Sequence, residues 1–294
     1  MNARTSALAR RLATLVVALA AASLAIWSAH APASTVQTHT FHSATLRRDW
    51  PYTVYLPDGY RSGNAHYPAV YLLHGNGGNA NDWLTQGHLQ STADALIARG
   101  AIPPVVIVMP QGGTDWYVDR KEPIETAFFE DLLPEIESRY AVAAQREARV
   151  IGGVSMGGFG ALRYALLAPE QFCGVLLLSP AIYADLPPRT SAARRVGVFG
   201  STQFDASVWH KLNYPALWDA YMNRPWRPAF FIGAGDDDLP IQSEADSLYT
   251  RLRQAGNPAS LRIVGGGHTW QVWRELLEPA LIHALACTKA RGTH

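Results

Sequence analysis

The sequence predicts an α/β fold in which a mostly parallel central sheet is covered by helices on both faces. Three observations lead there. Short, continuously apolar runs of strand length recur, as in Tyr67 to Leu73, Val105 to Met109 and Arg149 to Val154, and strands buried on both faces read this way rather than alternating. Segments compatible with a helix separate them. Polar, glycine-rich loops close several of the runs, and repeated strand-helix alternation of this kind implies a parallel sheet.

Residues 1 to 33 stand apart from that pattern. Arg4, Arg10 and Arg11 precede the apolar run Leu12 to Trp27, and small residues follow at Ala29, Ala31 and Ala33, the order of a secretory signal peptide. The run is short of the ~20 residues that span a bilayer, no later segment is apolar for long enough, and cleavage is expected after Ala31 or Ala33. An uncleaved anchor and a twin-arginine route are the alternatives to plain secretion. Residues 34 to 294 are read as a single catalytic domain, exported to the periplasm or beyond.

Thr35 to Leu46 and Tyr52 to Leu56 read as an opening antiparallel pair, with Pro57-Asp58-Gly59 as a turn. The strand Tyr67 to Leu73 ends in the loop His74-Gly75-Asn76-Gly77-Gly78-Asn79. A helix over Gln90 to Arg99, the strand Val105 to Met109 and a helix from about Ile124 to Tyr140 follow. The strand Arg149 to Val154 then runs into a helix-compatible segment, Phe159 to Ala168. Further on come strands at Gly174 to Leu178, Ala229 to Ile232 and Leu261 to Val264, with helices at about Ser243 to Ala255 and Trp270 to Ala286. Between Pro180 and Pro228 the rhythm breaks into an insertion rich in Pro, Arg and aromatics (Phe199, Phe204, Trp209, Tyr214, Trp218, Tyr221 and Trp226). Insertions of this length often carry binding loops; most of these rings are expected to pack, with one or two facing a ligand.

The chemistry begins at Gly153-Val154-Ser155-Met156-Gly157, a GxSxG pattern between a strand and a helix. That context makes Ser155 a candidate nucleophile on a sharp, strained turn, with glycines where a Cβ would collide with neighbouring backbone. A serine hydroxyl needs a base within hydrogen-bond reach and a group that orients the base. His268, in the loop Gly265 to Trp270 after the last strand, is the best base. His74 is read as holding its own loop, while His210 and His283 take packing or surface roles. The acid is expected between serine and histidine in chain order, which points to Asp236-Asp237-Asp238. If Gly235 makes the turn, Asp238 is the first choice, with Asp236 next and Asp237 the remaining alternate. An oxyanion hole requires preorganised N–H donors; Met156 supplies one and the His74 loop, through Asn76, the other.

Taken in order, YLLHGNGGNANDW (Tyr71 to Trp83), IPPVVIVMPQGG (Ile102 to Gly113), DWYVD (Asp115 to Asp119), GGVSMGGFGAL (Gly152 to Leu162) and GGGHTWQVW (Gly265 to Trp273) resemble the esterase D group of α/β-hydrolases. That group holds feruloyl and acetyl-xylan esterases, S-formylglutathione hydrolases, siderophore esterases and mycolyltransferases. The resemblance runs from about residue 40 to 285. It implies an α/β-hydrolase fold and a Ser, Asp, His triad, aligns FFIGAGDDDLPI without a gap when Asp238 is the acid, and places Trp116 and Tyr117 beside the active site as substrate-binding or packing residues. The cytoplasmic task of S-formylglutathione hydrolysis is at odds with a signal peptide.

Other classes are excluded by composition. Without residues 1 to 33 the chain keeps 22 basic and 24 acidic residues, a charge of −2, so no basic footprint for nucleic acid remains. The ten histidines lack metal-ligand spacing, no metal or cofactor is expected, and neither a P-loop nor a dinucleotide pattern is present. Cys173 and Cys287 either pair or stand as separate buried thiols. The expected partner is a small or polysaccharide-linked ester. Hydrolysis is the leading reading, with acyl transfer by the same triad and a non-catalytic binding module as alternatives.

Overall fold

The computed structural model describes residues 34–63, 66–200 and 203–289. The signal-peptide reading of residues 1 to 33 therefore lies outside the described residues. From Ser34 onward the chain forms one compact unit, built on an eight-stranded sheet.

The chain opens with the antiparallel strands β1 (Thr35–Ser43) and β2 (Arg48–Leu56), then β3 (Ala69–Leu73), the short helix α1 (Asp82–Thr85) and α2 (Leu89–Ala98). β4 (Val106–Pro110), α3 (Ile124–Ala127), a π-helical turn over Phe128–Leu132 and α4 (Leu133–Arg139) follow. The centre is β5 (Arg149–Val154), α5 (Met156–Leu167) and β6 (Gly174–Leu178). The insertion contains α6 (Ala206–Leu212) and α7 (Trp218–Met222), and the chain closes with β7 (Ala229–Gly235), α8 (Ile241–Gln254), β8 (Ala259–Val264) and α9 (Trp270–Leu285). The strand order is β1-β2-β4-β3-β5-β6-β7-β8. β2 pairs antiparallel with β1 and β4; every later neighbour is parallel.

The apolar runs of the inner strands divide by parity. Tyr71 and Leu73 of β3 and Ile151 of β5 join one core with α5 and α8, while Val70, Leu72, Val150 and Val154 join a second core with α2 and α9. Successive side chains of a strand point to opposite faces, so an unbroken apolar run is what a sheet covered on both sides needs. Helix α9 shows the matching helical period: Val272, Trp273, Leu276, Leu277, Ala280, Leu281 and Ala284 are buried, a stripe that repeats every three to four residues. Burying each Leu of it is worth roughly 1.5–3 kcal/mol.

Two local readings change and one left open is resolved. The helix expected over Ile124 to Tyr140 is interrupted by the π turn, a wider turn closed by i→i+5 bonds in which the consecutive rings of Phe128 and Phe129 both reach Tyr164 and Phe172. The strand expected to end at Ile232 runs to Gly235, because it stays paired with β8 through Gly235 and Val264. Cys173 and Cys287 are joined by a disulfide with Cα atoms 5.9 Å apart, tying the entry of β6 to the segment after α9.

Candidate active site

Parallel α/β sheets carry ligands beyond the carboxyl ends of their strands, and four such ends converge here. β5 delivers Ser155 directly into α5. Ser155 has φ 56° and ψ −115°, a conformation costly for a side-chain-bearing residue. Its N–H donates to the Leu178 carbonyl at 3.0 Å, and its own carbonyl accepts from the N–H groups of Phe159 and Ala181 at 3.0 Å each, so neighbouring elements fix the turn from three sides. The flanking glycines are steric necessities. A Cβ on Gly153 would stand 2.3 Å from the Gly157 carbonyl, and one on Gly157 would stand 2.3 Å from the Leu73 carbonyl oxygen.

β8 ends in the loop that carries His268, and β7 ends in the turn that carries Asp238. Ser155 Oγ lies 2.9 Å from His268 Nε2, and His268 Nδ1 lies 2.8 Å from Asp238 Oδ2. A carboxylate can only accept, so the imidazole proton sits on Nδ1 and donates to Asp238, leaving Nε2 to accept from the serine hydroxyl. Asp238 is 6% exposed, held away from water. Its neighbours are placed differently: Asp236 Oδ1 accepts from the Gly266 N–H at 2.8 Å, and the Asp237 side chain has no hydrogen-bond partner among the described residues. The structure therefore brings Asp238 to the histidine and leaves the other two carboxylates apart from it.

The loop after β3 passes directly over the serine. A Cβ on Gly75 would be 3.6 Å from Ser155 Cβ, and Asn76 lines the cleft. The loop's internal bonds, from Gly78 N–H to the Gly75 carbonyl and from Asp82 N–H to the Asn79 carbonyl, leave the Asn76 N–H without a partner among the described residues. The Met156 N–H belongs to the first residue of α5, where helical geometry provides it no partner; the Met156 side chain is buried. Asp82 fastens the loop by accepting from the Asn79 backbone and side chain at 3.1 and 2.8 Å. His74 fastens it again: Nε2 accepts from the Gly112 N–H at 2.9 Å, so Nδ1 donates to the Gly75 carbonyl at 2.8 Å. Burial lowers the His74 pKa, which keeps the ring neutral as those two bonds demand.

Trp116 and Tyr117 both have left-handed backbone, at φ 54° and 55°, yet they differ in position. Tyr117 does not line the cleft. It is 2% exposed, its ring fills the space over Gly112 and Gly160, and its hydroxyl donates to the His74 carbonyl at 3.1 Å; the substrate-binding reading of this residue is corrected to a packing one. Trp116 does line the cleft, but edge-to-face contacts with Phe159, Phe199 and Trp209 hold its ring inside an aromatic cluster. The insertion is corrected similarly, since none of the seven aromatics singled out from it reaches the cleft, where Tyr183, Pro188, Ser191 and Arg195 stand instead.

Two residues were missed by sequence reasoning. The Trp273 ring meets His268 edge to face at 5.0 Å, and its Nε1–H donates to Ser179 Oγ at 3.0 Å. Trp270 packs in turn on Trp273 and Trp83. The only signal was the TWQVW run after the histidine, which a helical face explains equally well. The completed cleft has a volume of about 600 Å³, within the usual range for small-molecule sites. A serine hydroxyl bonded to a neutral, carboxylate-oriented imidazole, beside unused backbone donors, can deliver an alkoxide to an acyl carbon and stabilise the resulting oxyanion.

Comparisons agree in class. A family model described as "Putative esterase" matches residues 43–284. An esterase of Mycobacterium tuberculosis is 30% identical over 249 residues, covering 74% of this chain and 52% of the relative, so the chain spans about half the length of that protein. An acetyl esterase of Caldicellulosiruptor saccharolyticus is 28% identical over 228 residues, covering 72% of this chain and 80% of the relative. Among solved structures, a ferulic acid esterase superposes with a TM-score of 0.72 at 28% identity, covering 87% of this chain and 99% of that one; the fold is that of the α/β-hydrolases.

Proposed function

The chain belongs to the putative esterase family, and from that premise we propose that it is an exported serine hydrolase of carboxylic esters. The observation that carries the reading is the unbroken hydrogen-bond chain from Ser155 through His268 to Asp238, at 2.9 and 2.8 Å, inside the cleft. In this mechanism His268 Nε2 takes the Ser155 proton as Oγ attacks the ester carbonyl. Asp238 stabilises the imidazolium that forms, and the N–H groups of Asn76 and Met156 hold the oxyanion. His268 then hands its proton to the departing alcohol, leaving an acyl group on Ser155. Water, deprotonated by the same imidazole, releases the acid and restores the serine.

Acetyl and feruloyl esters are the first substrates to try, since relatives carry those names. Export is supported by the order of charges and apolar residues in residues 1 to 33 and by the Cys173–Cys287 disulfide, a bond that persists in oxidising compartments. No helix among the described residues is long and apolar enough to cross a membrane.

The test is covalent. An organophosphonate is expected to label Ser155 stoichiometrically and abolish turnover of short aryl esters, and Ser155→Ala is expected to prevent both. Purified protein that neither turns over such esters nor reacts at Ser155 would remove the proposal. Product analysis with added alcohols distinguishes hydrolysis from acyl transfer, and the N-terminus of the protein recovered from the cell exterior tests export.

A further inference from the structure

The wall of the cleft supplied by the insertion carries one charged hydrogen-bond donor that nothing among the described residues satisfies. Arg194 and Arg195 are adjacent but differently used. Arg194 donates from Nε to the Pro187 carbonyl at 2.6 Å and lies over the Phe204 ring at 4.4 Å. Arg195 is exposed, lines the cleft that holds Ser155 and His268, and its guanidinium has no ion pair or hydrogen bond among the described residues. The segment that carries it is fixed to the Trp116 loop. Lys121 Nζ donates to the Val196 carbonyl at 2.7 Å, Arg120 Nε to the Val198 carbonyl at 3.3 Å, and the Phe199 ring meets Trp116 at 5.5 Å.

Trp116 completes the wall. It is 1% exposed, it lines the same cleft, and its indole N–H has no partner among the described residues. That nitrogen is buried beneath the cleft surface, so the ring contributes contact area and the charged donor open to a ligand is Arg195. The cleft's own carboxylates do not answer Arg195, because Asp238 accepts from His268 and Asp82 from Asn79. The hydroxyls of Ser191 and Tyr183 add further polar lining.

Resting on the esterase reading above, we propose that Arg195 forms an anion subsite and that the preferred substrate is an ester whose acyl or alcohol part carries a carboxylate. A carboxylate accepts from the planar guanidinium fork in two parallel bonds. The subsite selects among esters; the bond made and broken remains the acyl–oxygen bond at Ser155.

The experiment compares matched ester pairs in the wild-type protein: 4-nitrophenyl hexanoate against the 4-nitrophenyl monoester of adipic acid, and phenyl hexanoate against the hexanoate of 4-hydroxybenzoate. The first pair places the charge on the acyl side, the second on the alcohol side. One charged ester is expected to exceed its neutral partner in kcat/KM by about tenfold or more at low salt, with the advantage shrinking as ionic strength rises. Arg195→Gln is expected to pull that ratio toward one and Arg195→Lys to keep part of it. Arg195 is exposed, so both variants are expected to fold. Neutral esters turned over with no charged preference, or a ratio untouched by Arg195→Gln, would overturn the subsite alone. Turnover of no ester at all would overturn the esterase reading and the subsite with it.

Discussion

Replacing each of the three consecutive aspartates by alanine separates chemistry from scaffolding within one turn. Asp238 is buried and accepts the Nδ1–H of His268 at 2.8 Å. Its removal releases the imidazole tautomer, so the proton can sit on Nε2 and block acceptance from Ser155, and it deprives the imidazolium of its counter-charge. Losing the orienting acid of a serine triad lowers kcat by about 10⁴, roughly 5.4 kcal/mol at 1.36 kcal/mol per decade. Asp236 contributes one hydrogen bond, from the Gly266 N–H at 2.8 Å on the loop that carries His268. A hydrogen bond to a charged group is worth about 1.5–3 kcal/mol net, so Asp236→Ala costs at most about 150-fold even if the whole loss reaches the transition state. The Asp237 side chain has no such bond among the described residues, and Asp237→Ala should fall within about twofold of wild type.

The assay is steady-state turnover of a short aryl ester, with circular dichroism confirming that each variant is folded and phosphonate titration counting active sites. Asp238→Asn should fare nearly as badly as the alanine variant, because an amide turned to donate toward Nδ1 imposes the wrong tautomer. If Asp236→Ala equals or exceeds Asp238→Ala in its effect, or if Asp238→Ala loses less than tenfold, the assignment of the acid is wrong.

Four further outcomes are expected. Gly157→Ala should yield little folded protein, since its Cβ would meet the Leu73 carbonyl at 2.3 Å, whereas Gly75→Ala, with nothing nearer than 3.6 Å, should stay folded; soluble yield and thermal melting decide. Ser replacement of both Cys173 and Cys287 opens a cross-link of sequence separation 114 and should cost about 2–4 kcal/mol, a fall in Tm of roughly 5–15 °C for a chain of this size, read by calorimetry; an unchanged Tm refutes it. His74 has a folded-state pKa below its unfolded value, so the unfolded state binds the extra proton and stability is lost as pH falls below about 6.5 toward the depressed value. Denaturant midpoints should drop over that window in wild type and less so in His74→Asn. Trp273→Phe removes the bond to Ser179 that holds the ring against His268 and should lower kcat about threefold to tenfold with KM nearly unchanged; equal loss in KM alone would argue for substrate contact instead.

What could be read in the sequence follows from how locally each feature is determined. The inner strands were legible because both their faces are buried, so β6 is apolar throughout and β5 is apolar after Arg149. The elbow was legible because its motif is five consecutive residues, although only Gly153 is demanded from within it, by Gly157, while Gly157 is demanded by the Leu73 carbonyl of β3. His268 and Asp238 announced themselves by standing just past the ends of β8 and β7. The π turn was not legible, since its cause is the packing of Phe128 and Phe129 on the distant Tyr164 and Phe172. Pairing of Cys173 with Cys287 depends on α9 lying against β6, where a Cβ on Gly174 would meet the Ala284 carbonyl at 2.1 Å, and no spacing rule in a chain with two cysteines expresses that.

The same distinction separates reaction from selectivity in this cleft. Ser155, His268, Asp238 and the loop donors each sit at a strand end, so the sheet's register places them and short motifs reveal them. Part of the cleft wall instead comes from the insertion, where Phe199 and Trp209 turned inward, are fully buried and build the cluster that holds Trp116. An apolar ring in an insertion looks like a ligand contact on paper, yet its larger free energy comes from leaving water, and the core offered these rings a place. Polar side chains had no such place, and so Arg195 and Ser191 remained at the surface of the cleft. The polar residues that line this wall are therefore ones the core could not take, which explains why hydrophobic pattern located the strand ends that carry Ser155, His268 and Asp238 and misplaced the insertion's rings.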